Sequence, residues 1–312
     1  IVENFGSIDG IEWRTIVPNA EGDWVNQRDP AFEKFIPLGD KGDGDGKVIF
    51  GVYSQGLLSA RDAWTYNMSR PVLEENMRSM IDVFNVDSAR YAKLCESKVK
   101  DEWPDIESVI NADPRKISWS RALKADARRG KNYKFESVSL VQSMYRPFNK
   151  QWLYFNRRLN EMVLQMPKLF PSPKQANMVI AVTGIGASKS FSCLLADTVP
   201  NYHMHDTGQY FPLCWYEAVQ ENATAQGKMF EADGKADVEG YVRRDSITDW
   251  ALKSFRERYE DAAITKVEIF WYVYGILHSP EYKNRFATDL KKWSLGFHMS
   301  KTSMSSARRD AI

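Results

Sequence analysis

Apolar positions along this chain recur with two periods, and the alternation between the two sketches a mixed fold. From Pro71 onward, Leu73, Met77, Met80, Ile81 and Phe84 fall three or four residues apart, the spacing of one helical face. Ser69 stands where an N-cap belongs, with Pro71 in the first turn. A second helix is expected from Ser88 to about Lys98, and a basic amphipathic one from Ile117 to Arg129, stopped by Gly130. Near the end, Ser246 is expected to cap a helix reaching Tyr259. Thr265 and Glu268 form a capping box for the next helix, and Ser279-Pro280 separates that one from a last helix to Lys292.

Other runs follow the strand pattern. Lys47–Tyr53, Ser137–Val141, Trp152–Phe155 and Asn177–Thr183 predict strands, with a weaker strand-like run at Glu12–Val17. One alternate pair of Trp152–Phe155 must face the core, and Leu153 and Phe155 are assigned to it. Gly39–Gly46 reads as a flexible connection and Glu221–Glu239 as a surface insertion. Strands in the middle and helices at the end predict an α+β (mixed α/β) fold. Its centre is a mostly antiparallel or mixed sheet with flanking helices and a helical C-terminal part.

Composition changes this picture little. With 312 residues, 43% of them apolar, and ten Trp, the chain can bury one large core or two modest ones, divided at about 1–135 and 136–292. Three widely spaced cysteines fit buried, reduced thiols. The longest apolar run, Ile269–Leu277, is about half of the ~20 residues a bilayer requires, so no membrane partner is expected. No signal or transit segment is legible, which makes the cytoplasm the expected location, and Ile1 suggests a piece of a longer polypeptide.

Charge changes it more. Between Arg115 and Arg158 stand twelve Lys or Arg against two acids, Asp126 and Glu136. That window is +10 in a chain of net +1, so the remainder sums to −9. Its last part, Tyr145 to Arg158, interleaves four cations with five aromatics and no acid. Cations beside planar rings suit a phosphate backbone with exposed bases. The alternative is a solvated helix face, with Arg121, Lys124, Arg128 and Lys131 paired to acidic neighbours.

Motifs for chemistry mostly fail on spacing. Met178 to Ser190 resembles a strand feeding a phosphate loop, but the Walker pattern needs glycines where Ser188 and Thr183 stand. What remains is a Gly-rich turn offering backbone N–H groups, Ser188 and Lys189 to a DNA phosphate, or a tight turn with no ligand. Asp43-Gly44-Asp45 lacks the later calcium ligands, and His203, His205 and Asp206 match no standard zinc spacing. No adenine-methylation motif, dinucleotide loop or nucleophile elbow is present, and four His leave few general bases. The chain reads as a binder without catalytic residues, metal or cofactor of its own.

Several runs, in order, then resemble the C-terminal target-recognition (specificity) domain of single-polypeptide type ISP restriction–modification enzymes. They are Gly22–Asp29, Phe35–Lys41, Arg61–Asn67, Tyr145–Phe148, Trp152–Phe155, Val182–Gly186, Gly208–Leu213 and Tyr272–Tyr282. The resemblance implies a module that reads a short double-stranded DNA site for methyltransferase, translocase and nuclease domains of the same polypeptide. ATP, S-adenosylmethionine and magnesium would belong to those domains. Phosphate contacts are assigned to Lys124, Arg128, Arg129 and Lys189, with Lys116, Arg121, Lys131, Lys150, Arg157, Arg158 and Ser188 as further DNA-binding candidates. Residues shared with a family whose targets differ should be scaffold. Arg61, Asp62, Trp64, Arg146, Pro147, Trp152, Tyr154, Gly184 and Gly186 are assigned there, together with the rest of Arg146-Pro147-Phe148. Two rivals remain: a docking module whose basic face meets acidic surfaces of its own polypeptide, and a methyltransferase or nuclease fragment.

The resemblance stops after about Lys292, where residues 293–312 turn Ser- and Met-rich and aperiodic. Read one base out of frame from Leu295, one permitted set of codons restores a Pro-Arg-Ile-Pro run like the family's. A frameshifted tail is therefore expected.

Overall fold

The computed structural model describes residues 46–219 and 239–292, together with positions 13, 15–18, 24, 27, 29, 35–39, 237, 296 and 297. Most of the Gly39–Gly46 connection, of the Glu221–Glu239 insertion and of the tail lies outside the described residues.

In chain order the elements are β1 (Ile36–Pro37), β2 (Ser54–Gln55), α1 (Asp62–Thr65), β3 (Tyr66–Asn67), α2 (Arg70–Cys95) and α3 (Arg121–Arg128). Then follow β4 (Leu140–Arg146), β5 (Asn149–Tyr154), α4 (Met166–Leu169), β6 (Val179–Val182), β7 (Cys193–Ala196) and β8 (Val199–Pro200). The last group is β9 (Gln209–Pro212), β10 (Cys214–Ala218), β11 (Tyr241–Asp245), α5 (Asp249–Tyr259), α6 (Lys266–His278), α7 (Pro280–Arg285), α8 (Asp289–Lys292) and β12 (Gly296–Phe297).

Two four-stranded sheets, ordered β3-β5-β4-β8 and β2-β9-β6-β7, carry the architecture. Within them the pairs are antiparallel except β4 with β8. The sheets face one another through a shared core of Leu57, Tyr66, Val141, Leu153, Val179, Ala181 and Tyr210. Helices cover the outer faces. α2 and α3 pack on Leu140 and Tyr154 of the first sheet, while α5 and α6 pack on Ile180, Val182 and Phe211 of the second. The result is a helix–sheet–sheet–helix sandwich of the expected α+β class.

This layering explains where the sequence pattern misleads. A strand with a core on both faces has no solvent face, so both alternate sets are buried. In β5, Leu153 and Tyr154 are each fully buried, on opposite sides. The assignment of Leu153 and Phe155 as the inward pair is thus corrected: Trp152 and Tyr154 are core residues of the helical side. β6 is buried at all four positions for the same reason.

Other boundaries move as well. The two helices expected over residues 70–98 are one 26-residue helix, α2, burying Leu73, Met77, Met80, Ile81 and Phe84. Ser88 lies inside it, buried, and its hydroxyl donates to the Lys131 carbonyl at 2.7 Å. Lys47–Tyr53 forms no continuous strand, because its amides go to different partners. Ile49 and Phe50 donate to Pro37 and Leu38, and Gly51 donates to Ser246. No strand forms at the described positions of Glu12–Val17. Thr248, not Ser246, caps α5, and the Thr265–Glu268 capping box opens α6. The helix expected to run to Lys292 breaks at Phe286 into α7 and α8. Gly296 and Phe297 of the tail pair with Pro37 and Ile36. Among the described residues, no helix is long and apolar enough to cross a membrane.

Candidate nucleic-acid interface

The basic, aromatic segment Tyr145–Arg158 folds as the β4–β5 hairpin and its exit. At its tip Arg146 pairs with Asn149, so Pro147 and Phe148 form a two-residue turn. Pro at the first turn position followed by positive φ (Phe148, +61°) follows the type II pattern, whose second position favours Gly or Asn. An L-residue there costs about 1–2 kcal/mol. Pairing is irregular between Met144 and Arg146, which re-aims the tip.

The residues behind the tip are held firmly. The Arg146 guanidinium lies 4.0 Å from the Tyr145 ring centroid and donates to the Tyr145 carbonyl at 2.7 Å and to Asn201 Oδ1 at 3.1 Å. Its other nitrogen is 3.9 Å from Asp62. Lys150 pairs with Asp197 at 2.7 Å.

The turn after β6 approaches the same place. A Cβ on Gly184 would stand 1.8 Å from the Thr207 carbonyl oxygen, so only glycine fits, and Gly186 takes φ +76°. The Ser188 amide and hydroxyl both donate to one Asp206 oxygen at 2.6 Å, holding the Asp206 carboxyl below its usual range. The turn therefore presents its amides as the sequence suggests, but to a carboxylate of its own chain. Lys189 stays exposed.

Between tip and turn lies a groove of about 540 Å³, lined by Arg146, Phe148, Ser188, Lys189, His203 and His205 among others. Burial pushes the His205 imidazole down to about 4, so it is neutral at ordinary pH. The pair His203 and His205 thus contributes to a groove wall, and Asp206 is engaged with Ser188.

The foot of the hairpin carries the other basic group. Ser120 Oγ accepts from the Leu123 amide at 3.3 Å and opens α3, which Gly130, at φ +63°, ends. α3 buries Leu123, Asp126 and Ala127 against α2 and leaves Arg121 and Arg128 exposed. Burial raises the Asp126 carboxyl, but Lys131 at 2.7 Å and the Tyr133 hydroxyl outweigh it, so the group ends below its usual range. Arg129 is 3.5 Å from the same carboxylate. Lys124 pairs with Glu107, and Arg115 with Asp113 at 2.9 Å.

Of the twelve cations in the window, six are thus in ion pairs: Arg115, Lys124, Arg129, Lys131, Arg146 and Lys150. Lys116, Arg121, Arg128, Lys134, Arg157 and Arg158 have no ion pair among the described residues. Tip and foot stand at the two ends of β5, six residues or roughly 20 Å apart.

Among the shared-motif residues Arg61, Tyr154 and Gly184 are buried, Asp62, Trp64, Arg146 and Trp152 half-buried, and Pro147 and Gly186 exposed. Arg61 is buried and donates to the Leu159 carbonyl at 2.6 Å, and the neighbouring Asp62 accepts from the Ser59 hydroxyl. Trp64 packs on the helical core, Trp152 lies under the Arg70 guanidinium, and the Tyr154 hydroxyl accepts from the Glu136 amide at 2.9 Å. Phe148, assigned to the scaffold with them, is the most exposed of the group at 88%. Its place at the second position of a two-residue turn accounts for the exposure, and Pro147 at the first position is the sequence signal for such a turn. Asn201 and Asp206, which organise the groove, have no comparable sequence signature.

A family model for the Type ISP C-terminal specificity domain matches residues 48–294, ending close to where the sequence resemblance stops. No curated protein matches the chain. Among solved structures, the chain is 29% identical to the Type ISP restriction-modification enzyme LlaGI, a nuclease-deletion mutant in complex with a DNA substrate mimic. The TM-score is 0.75, over 97% of this chain and 25% of that one. A DrdV–DNA complex matches at 30% identity and TM-score 0.74, over 96% of this chain and 27% of that one. The ATP-dependent Type ISP restriction-modification enzyme LlaBIII, bound to DNA, matches at 27% identity and TM-score 0.72, over 99% and 18%. The chain therefore spans about a quarter or less of the length of these structures.

Proposed function

The chain belongs to the Type ISP C-terminal specificity domain family, and on that premise we propose that it is a double-stranded DNA recognition module without catalysis of its own. It would serve methyltransferase and motor domains of a longer cytoplasmic polypeptide, to which ATP, S-adenosylmethionine and magnesium belong. The observation that carries this reading is the near-complete structural match to chains solved with DNA. The exposed Lys189, the hairpin tip and the unpaired Lys116, Arg121, Arg128, Arg157 and Arg158 support it, since unpaired cations release counterions from a phosphate backbone. Lys124, Arg129, Lys131 and Lys150 are weaker phosphate candidates, because an acidic partner must be given up first. Residues after about Lys292 are proposed to be frameshifted, which the encoding DNA tests directly.

A second reading, docking onto acidic surfaces of the same polypeptide, draws support from the six ion pairs already present. Titrating a short duplex with the chain across a salt series separates the two. Affinity that falls linearly with log salt supports DNA recognition, and no affinity at low salt supports docking.

A further inference from the structure

The geometry points to Phe148 as an aromatic wedge that stacks on a nucleobase, with Lys189 beside it to meet a flanking phosphate. This inference rests on the DNA-recognition reading and assigns a contact within it. Phe148 is the most exposed large apolar side chain among the described residues, at 88%. It also occupies the one turn position where φ is +61° and where Gly or Asn would be unstrained. Either substitution would remove the exposed ring and ease the backbone, so the fold gains nothing from Phe there. Leu164, at φ +48° and 41% exposed, shares the combination, but Phe148 bears it at a hairpin tip beside a groove, where strain and exposure together mark a contact surface.

The surroundings fit a base better than an apolar partner. The ring makes no aromatic contact among the described residues, and its turn neighbours Pro147 and Asn149 are exposed. Arg146, directly behind it, is held inward by Tyr145 and Asn201, which leaves the ring as the outermost group of the tip. Lys189 lines the groove below with Ser188, while Lys150, next along β5, is held by Asp197. In a duplex each base face is covered by its neighbours, so the ring would enter between two base pairs at a step it partly unstacks, a contact that tolerates different sequences. That agrees with a tip which organises binding rather than one which selects the target.

Phe148→Gly in the full chain tests this. The variant is expected to fold with a urea midpoint at or above that of the parent. It should bind a duplex about tenfold more weakly. The slope of log affinity against log salt should stay unchanged, because no charge is lost. Phe148→Tyr should bind like the parent. A Gly variant that binds as tightly as a DNA-binding parent overturns the wedge and leaves the recognition reading standing. A Gly variant with a shallower salt slope also overturns it, because the ring would then act through the cations. A parent with no duplex affinity at low salt overturns both.

Discussion

At the foot of the β4–β5 hairpin, Asp126 sits among Lys131, Arg129 and Tyr133, and α3 rests on α2 through Leu123 and Ala127. At the tip, Arg146 is bound inward while Phe148 stands in solvent and Lys189 faces the groove. The foot holds most of the positive charge and neutralises part of it, four of its ten window cations standing in ion pairs. At the tip both window cations, Arg146 and Lys150, are paired, and Lys189 from the neighbouring turn is the cation presented beside an exposed ring. Charge density along a sequence therefore measures supply, and the acids brought in by folding decide how much of it reaches a partner.

Gly184→Ala should break the tip side most severely. Its Cβ would clash with the Thr207 carbonyl, so urea denaturation should register a loss of at least ~3 kcal/mol. Gly130→Ala at the foot, where the nearest atom is 3.5 Å away, should cost only the left-handed strain, about 1–2 kcal/mol. Equal losses would show that the turn after β6 is no tighter than the helix end.

Acid should loosen the tip before the foot. His205 is held at about 4, below the 6.5 of an unfolded histidine, so the unfolded chain binds the extra proton first. Stability should fall as pH drops from about 6.5 to about 4, by roughly 1.4 kcal/mol per unit at most. His205→Gln should flatten the dependence in that window; an unaltered slope would assign it to other groups.

The α+β class was legible, with a sheet between flanking helices expected where two stacked sheets stand. Helical periodicity placed the α2 face, the Thr265–Glu268 spacing placed the α6 capping box, and the run Asn177–Thr183 marked the strand that forms as β6. What escaped was any feature that depends on a second layer. Tyr154 looked like the outward member of an alternating strand because nothing local announces a core on both faces. Ion pairing escaped for the same reason: Glu107 and Asp197 stand 17 and 47 residues from Lys124 and Lys150. Asp206, 18 residues beyond Ser188, fills amides that the sequence offered to a phosphate.

Binding measurements can sharpen the contrast further. Lys189→Ala should weaken duplex binding by roughly 1–3 kcal/mol, about equally for all sequences, whereas Lys124→Ala should cost less than ~1 kcal/mol because Glu107 already holds it. Selective loss for one sequence on removing Lys189 would make it a base reader. The smallest effect is expected for Asp206→Asn, which removes an acid from the groove and should raise low-salt affinity a few-fold; a fall would mean that the Ser188–Asp206 bonds shape the turn for its partner.

Amide hydrogen exchange of the full chain, with and without a saturating duplex at low salt, tests the division between tip and foot most directly. Protection is expected at residues 146–150 and 184–190, with weaker changes around 121–131 and 157–158. Protection confined to the foot, with the tip and the Gly184–Ser190 turn exchanging as in the free chain, would contradict it.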